Sequence, residues 1–538
     1  MTARSPASGA SVRAYGETAF LVDLPGLDAV RALHRELLAD VPHAVVDVVP
    51  AARTVLVTFE RPRESGDVRS WLVAAIGRAR DAGAAASAHA GADVPLVEIP
   101  VVYDGADLAD VAGWAGVSPE EVVARHSGRV YEAAFGGFAP GFTYLVGVDP
   151  VIAAPRLPTP RTRVPAGAVA VAGDLTAVYP AASPGGWRLL GRTDRLMFDV
   201  DRDPPALVAP GARVRFRAVR DVAAGRGAVR PPRRGRVLEA DRALTVLSPG
   251  PLTLVEDRGR PGLAAIGVGR SGAADRGAAA LANRVVGNPP DAALLEVTLG
   301  GLVLRTERPA LVALAGAVAP ATVDGTPVGP GVPLPVPAGA VLRLGSPVHG
   351  LRTYVAVRGG VLVEPVLGAR AHDSLAGLGP PPVRAGDGLG VGVPPATWPP
   401  VDVAPVRLPA GERRPGERET TLRVLPGLRQ DWFVPQAWYA LGASRTVSAD
   451  SNRVALRLDG PPVPRVRGDL PSEGLVRGAI QVPPDGRPVL FLADHPVTGG
   501  YPVIGVVVAE DVDRAAQLRP GERLRLRSTV PASRALDP

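Results

Sequence analysis

The spacing of apolar residues changes period several times within the first ninety residues. Val12 to Leu24 alternates as a strand does, whereas Leu27 to Leu38 carries apolar residues at helical spacing. Ala44 to Phe59 reads as two strands broken at Pro50-Ala51-Ala52, and Val68 to Arg80 is helical again. The pattern predicts a small α/β domain over residues 1–88, with an Ala/Gly/Ser hinge from Ala82 to Ala92. Beyond it, a strand from Val97 to Tyr103 leads to two short helices. The second opens on Ser118-Pro119-Glu120-Glu121, where Ser can cap, Pro suits the first turn and the acids complement the helix dipole.

The remaining apolar runs are short and punctuated by Gly and Pro, as in β-barrels or sandwiches. They predict a β unit over residues 93–220, a basic Pro/Gly linker over 221–243, a second β unit over 244–400 and a third over 415–530. Only Ala274 to Val286 in the latter half has a clear helical pattern. The fold class is mainly β with a small N-terminal α/β domain. The chain also echoes itself. Pro165-Ala166-Gly167-Ala168, Pro184-Gly185-Gly186-Trp187 and Pro210-Gly211-Ala212-Arg213 recur in order as Arg477-Gly478-Ala479-Ile480, Thr498-Gly499-Gly500-Tyr501 and Pro520-Gly521-Glu522-Arg523. The shared order indicates two copies of one β fold.

Composition narrows the chemistry. The 538 residues contain no Cys and no Lys, so all 60 basic residues are Arg. This excludes disulfides, thiolate metal sites, a Walker A lysine, a pyridoxal Schiff base and a biotin carrier on this chain. The net charge of +7 does not indicate a nucleic-acid partner, because the only dense basic run, Arg226 to Arg236, lies in the linker pattern. With no apolar stretch of bilayer length and no signal-peptide pattern, no membrane partner is expected and the predicted location is cytoplasmic.

Three clusters could carry chemistry. In the first, Gly136 to Leu145 includes Phe138, Pro140 and Gly141, and is followed by Arg156 and Arg161, which could hold a carboxylate or phosphate. Gly and Pro shaping barrel turns, with the arginines at the surface, is the alternative. The second pairs Gly185 and Gly186 with Asp494, Thr498 and Gly500 of the echo, and Gln481 and Asp494 could orient an amide. The third groups Asp257, Arg258, Asp275 and Asn283 among Gly-rich turns, as a polar pocket or magnesium ligands, or alternatively as caps and turn residues. His126, near the first cluster, is the candidate general base, with a helix-terminal structural role as the alternative. No His spacing specifies a metal site.

Taken together these motifs resemble a known bacterial pair. Gly137 to Leu145, Pro160-Arg161, Val164 to Gly167 and Ser183 to Trp187 resemble the B-type component of 5-oxoprolinase, also described as allophanate hydrolase subunit 1 or the kinase-inhibitor family. Asp257 to Arg260, Ser271 to Asp275, Ala282-Asn283, Gly287-Asn288, Arg358 to Gly360, Gly478 to Gln481 and Thr498 to Pro502 resemble the C-type component, or allophanate hydrolase subunit 2. The resemblance implies cyclophilin-like barrels, one in the first half and two in the second. It implies ATP with magnesium, an A-subunit-like partner, a small-molecule amide substrate opened from 5-oxo-L-proline to L-glutamate, and allows a homo-oligomer. It brings in Asp257, Asp275 and Asp494 as catalytic candidates, beside His126, which rests on its own position in the sequence. Phe138, Pro140, Gly141, Arg156, Arg161, Gly185, Gly186, Arg258, Asn283, Gln481, Thr498 and Gly500 are then the binding candidates. Leu175 and Ala177 stand where a Gln-Thr-Gly run is expected, and Glu256 where Gln is expected. Two alternatives are a carboxyltransferase component of a urea or amide carboxylase, with biotin on a partner, and a regulator of a sensor histidine kinase.

Overall fold

In the N-terminal domain, strands Ser11–Ala14, Ala19–Asp23, Val45–Pro50 and Thr54–Phe59 form an antiparallel sheet in the order first, second, fourth, third. The computed structural model describes residues 9–85, 96–159, 161–221, 242–398, 403–405, 419–466, 468 and 470–530. The single alternating run from Val12 to Leu24 is in fact a hairpin, turning through Gly16 at φ 72°. Phe20, Val22, Val55 and Val57 pack beneath helices Leu27–Ala39 and Ser65–Ala85. The intervening residues Ala19, Leu21 and Leu56 face the other way, against Leu475, Ala479, Phe491 and Val506 of the last unit. With both faces covered, the strands are apolar almost throughout, as in a fully buried sheet.

The first barrel begins with Leu96–Val101 and ends with Arg213–Ala218, and these two strands pair in parallel. The last barrel begins with Glu419–Pro426 and ends with Arg523–Ser528, also parallel. Each contains nine strands among the described residues. Numbered within each unit, the order around the sheet is first, eighth, fifth, sixth, third, second, ninth in both, and the fourth pairs with the seventh. The last barrel is closed, and a Val102–Arg192 bridge brings the first to near closure. The internal echo is therefore a duplication of topology as well as of motifs.

Between them, residues 242–398 form a seven-stranded and a five-stranded sheet. The chain passes from one sheet to the other at Pro249-Gly250-Pro251, at Leu299-Gly300-Gly301 and again after Leu344, enclosing Val246, Leu295, Leu304, Leu342 and Val355. The helix here spans Arg276–Val285 and is capped by Asp275. Two further helices, Ala437–Leu441 and Ala509–Ala515, are too short to show a helical period in sequence. Ser118 caps its helix as its position indicates, accepting from Glu121 N at 3.2 Å. The basic run Arg226 to Arg236, most of the hinge and Pro160 lie outside the described residues. Among the described residues no helix is long and apolar enough to cross a membrane.

Candidate functional site

The glycine-rich loop of the first barrel joins strands Val130–Gly136 and Thr143–Val146. Phe138 and Gly141 have φ of 62° and 75°, which turns the chain sharply and delivers Phe142 into an aromatic cluster. The Phe142 ring lies 5.0 Å from Tyr144, 5.3 Å from Phe138 and Tyr179, and 5.7 Å from Trp187. Burial pushes the Tyr179 phenol up to about 12 and raises that of Tyr144 as well. Gly185 sits against the Tyr179 hydroxyl, where a Cβ would collide with it. Gly186 O accepts from Leu157 N at 2.7 Å, beside Arg156, whose guanidinium lies 6.0 Å above the Trp187 ring.

The two arginines of this cluster differ. Arg161, opposite Gly185 in its strand pair, donates to the buried Asp107 at 2.6 Å, and Asp107 also accepts from Leu189 N. Its charge is matched within the barrel. Arg156 is exposed, and among the described residues its guanidinium has no hydrogen-bonding or ion-pairing partner. It is the free cation at the edge of the aromatic wall.

The same loop meets the second half of the chain. Phe138 N donates to Thr498 Oγ1 at 3.0 Å, and Gly141 N to Ile266 O at 3.0 Å. A Cβ on Gly136, Gly137 or Gly267 would strike Ala265 O, Thr498 Oγ1 or Ala139 O, respectively, so these glycines permit close contact between the halves. Pro140 lies within this loop. The Tyr144 hydroxyl is held by the Ser472 and Thr498 side chains, which partly offset the effect of burial on its pKa. Thr498 belongs to the Glu473–Gly474 and Thr498–Gly499 pair, the counterpart of the Arg161–Gly185 pair. Gln481 donates to Tyr501 O at 3.0 Å and packs on Gly499, while Gly500 O accepts from Leu470 N.

The acids of the second half are drawn into a separate, buried network. Arg453, its side chain 3% exposed, donates to Asp494 at 3.0 and 3.1 Å and to Glu296, and lies 3.2 Å from Glu256. Asp494 also accepts from Ser271 Oγ at 2.6 Å and Ser374 N at 2.9 Å. Tyr354 OH donates to Glu296 at 2.8 Å and accepts from Asp275 N at 2.7 Å. Burial pushes the Glu256 carboxyl well up, with Glu296 and Asp494 adding to the shift against the pull of Arg453.

Each residue of the expected catalytic set is tied into local contacts. Asp494 is 1% exposed and bonded on both oxygens, to Ser271, Ser374 and Arg453. Asp275 caps a helix, accepting from Ala278 N at 2.9 Å and Gln517 at 2.8 Å; burial, then the neighbouring Asp513, raises it to about 6. Asp257 closes a turn by accepting from Gly259 N and Arg370 N. His126 is 0% exposed, stacked on Phe216 and bonded to Tyr103 and Thr176; burial lowers it to about 3, so it is a neutral core group with no access as a general base. Asn283 is also structural, joining Ala292 O and Asn288, and Arg258 pairs with Glu60 of the N-terminal domain.

The structure therefore brings Phe138, Pro140, Gly141, Arg156, Arg161, Gly185, Gly186, Thr498 and Gln481 toward one junction, but not the expected catalytic acids and His126. Sequence reasoning missed Tyr144, Tyr179, Ser472, Arg453 and Tyr354 as organising groups. Tyr144 and Tyr179 lay within the motifs, whereas Arg453 and Tyr354 had no local signal. Leu175 lies at the margin of the aromatic cluster and Ala177 within it, making this wall more apolar than the expected polar run would.

The family described as carboxyltransferase domain, subdomain C and D, matches residues 10–208, and that described as subdomain A and B matches residues 266–528. The chain is 38% identical to the B-type component of 5-oxoprolinase from Escherichia coli O157:H7, over 37% of this chain and 92% of that protein. It is 35% identical to the C-type component of 5-oxoprolinase from E. coli K12, over 52% of this chain and 89% of that protein. The crystal structure of TTHA0988 superposes with a TM-score of 0.81 at 36% identity, covering 96% of this chain and 100% of that one. The barrels and the order of these matches show that the chain belongs to the carboxyltransferase-domain family that includes the B-type and C-type components of 5-oxoprolinase, with counterparts of both fused in one polypeptide.

Proposed function

We propose that this chain is the fused B- and C-type component of an ATP-dependent 5-oxoprolinase, which opens 5-oxo-L-proline to L-glutamate together with a separate A-type protein. The observation that carries this reading is the pairing of near full-length likeness to both 5-oxoprolinase components with a direct junction between the two halves at Phe138 and Thr498. The substrate is a five-membered lactam bearing one carboxylate. Arg156, free beside Trp187, is suited to that carboxylate, and Phe138, Tyr144 and Trp187 to the ring. One water adds across the lactam C–N bond and a second is consumed as ATP becomes ADP and phosphate, which supplies the driving force for opening a stabilised amide. With no lysine, phosphate contacts from this chain come from Arg and backbone N–H groups, and magnesium is carried largely by phosphate oxygens and water. The need for ATP accords with a cytoplasmic complex.

A carboxyltransferase role in a urea or amide carboxylase is the second reading. It is favoured by the family description and by 30% identity to the urea amidolyase of Lachancea kluyveri, over 53% of this chain but 17% of that protein. Biotin would then reside on another polypeptide. Regulation of a histidine kinase by the first half alone fits less well, because the N-terminal sheet is covered by the last barrel. Mixing the chain with its A-type partner, ATP, magnesium and 5-oxoproline is expected to release glutamate above either protein alone. Absence of glutamate, with urea-dependent decarboxylation of carboxybiotin instead, would establish the second reading.

A further inference from the structure

A second basic cluster lies where the N-terminal domain, the middle unit and the last barrel converge. Arg270 donates to Glu60 through both η nitrogens at 3.1 Å, and Arg258 pairs with the same carboxylate. Arg477 donates to Asp513 at 2.6 Å and to Ala274 O at 2.7 Å. Arg276, half-buried at the start of its helix, sits among them, and among the described residues its guanidinium has no hydrogen-bonding or ion-pairing partner. Asp513 is already engaged by Arg477 and by the backbone N–H groups of Arg276 and Gly277, at 3.1 and 3.0 Å. Arg258 and Arg270 thus take up Glu60 and Arg477 takes up Asp513, which leaves the Arg276 guanidinium without a paired carboxylate.

Two further observations point to an anionic ligand. The Nε of Arg477 is buried without a partner. Burial holds the Arg276 pKa down, and the adjacent Arg477 and Arg270 charges lower it further, a positive field that Asp513 and Glu60 offset only in part. A purely structural role would leave that repulsion as a cost without return. Exposed Gly277 and Arg258 flank the cluster, so it is open to solvent.

We propose that Arg276, with Arg270 and Arg477, forms a phosphoryl-binding subsite distinct from the Arg156 wall. Several guanidinium forks converging from different elements match the multiple oxygens of a phosphoryl group. The choice of nucleotide as one probe rests on the oxoprolinase reading; the subsite itself does not.

The test is calorimetric titration of the full chain with inorganic phosphate and with ATP, using 5-oxoproline as the carboxylate control. Phosphate or ATP should bind, and Arg276→Gln should weaken that binding by about ten-fold or more. Its thermal midpoint should stay equal or rise, because the substitution removes repulsion. Arg156→Gln should leave phosphate binding intact. Tighter binding of ATP than of phosphate identifies a nucleotide as the source, and the reverse identifies free phosphate. No binding of either, equal binding by Arg276→Gln, or a carboxylate bound at Arg276 in preference to phosphate would overturn the proposal. Glutamate release is measured separately, so a complex without oxoprolinase activity but with Arg276-dependent phosphate binding rejects the function while leaving the subsite standing.

Discussion

Arg453 shows how far the role of a residue depends on its surroundings. It lies in the stretch Asp450-Ser451-Asn452-Arg453, which carries no motif, yet it holds Asp494 and Glu296 in a site closed to solvent, with Glu256 alongside. Removing a buried cation leaves its carboxylates without compensation, which costs more than the pair itself contributes. Arg453→Met is therefore expected to lower unfolding free energy by about 3–5 kcal/mol, read by chemical denaturation of the full chain. A loss near zero would mean that the three acids take up protons together and need no cation. His126 illustrates the opposite case. Its type and its place beside a glycine-rich cluster suggested acid–base chemistry, but stacking on Phe216 and bonds to Tyr103 and Thr176 make it a neutral core residue. Burial is set by strands distant in sequence, so residue type alone could not separate these roles.

At the scale of elements, the glycine loop and the strand pair Glu473–Gly474 and Thr498–Gly499 form the junction between the duplicated barrels. Thr498→Val removes the acceptor for Phe138 N while keeping the shape, and should cost about 1 kcal/mol of stability. Gly137→Ala should cost more, because its Cβ would meet Thr498 Oγ1 and the loop backbone would have to move. Thermal unfolding of both variants checks the order; equal effects would show that the loop yields freely. Much of this element was legible. Gly136, Gly137 and Gly141 signalled close approach, and the echoed Gly-Gly-aromatic motifs signalled duplication. What approached the loop was not, because Thr498 lies 360 residues further along the chain. The strand order was equally hidden: in both barrels the first strand neighbours the eighth and the ninth, a pairing that local alternation cannot encode.

At the scale of the whole molecule, the two halves are joined by far more than the covalent chain. The N-terminal sheet presents Ala19, Leu21, Val49 and Leu56 to Leu475, Ala479, Phe491 and Val506, so one hydrophobic cluster spans both. Polar contacts ring it: Arg13 donates to Leu428 O at 2.8 Å, Arg429 to Asp23 at 2.6 Å, and Asp47 accepts from Ala264 N at 3.0 Å. None of these contacts uses residues 222–241. Two polypeptides, 1–221 and 242–538, produced together should therefore copurify as a complex of equal stoichiometry. The first alone should self-associate, since separation exposes an apolar sheet face that the last barrel otherwise covers. Size-exclusion chromatography with light scattering distinguishes the outcomes. If the first segment is instead a stable monomer that does not bind the second, the shared cluster is too weak to hold the halves together, and the fusion itself must supply their effective concentration.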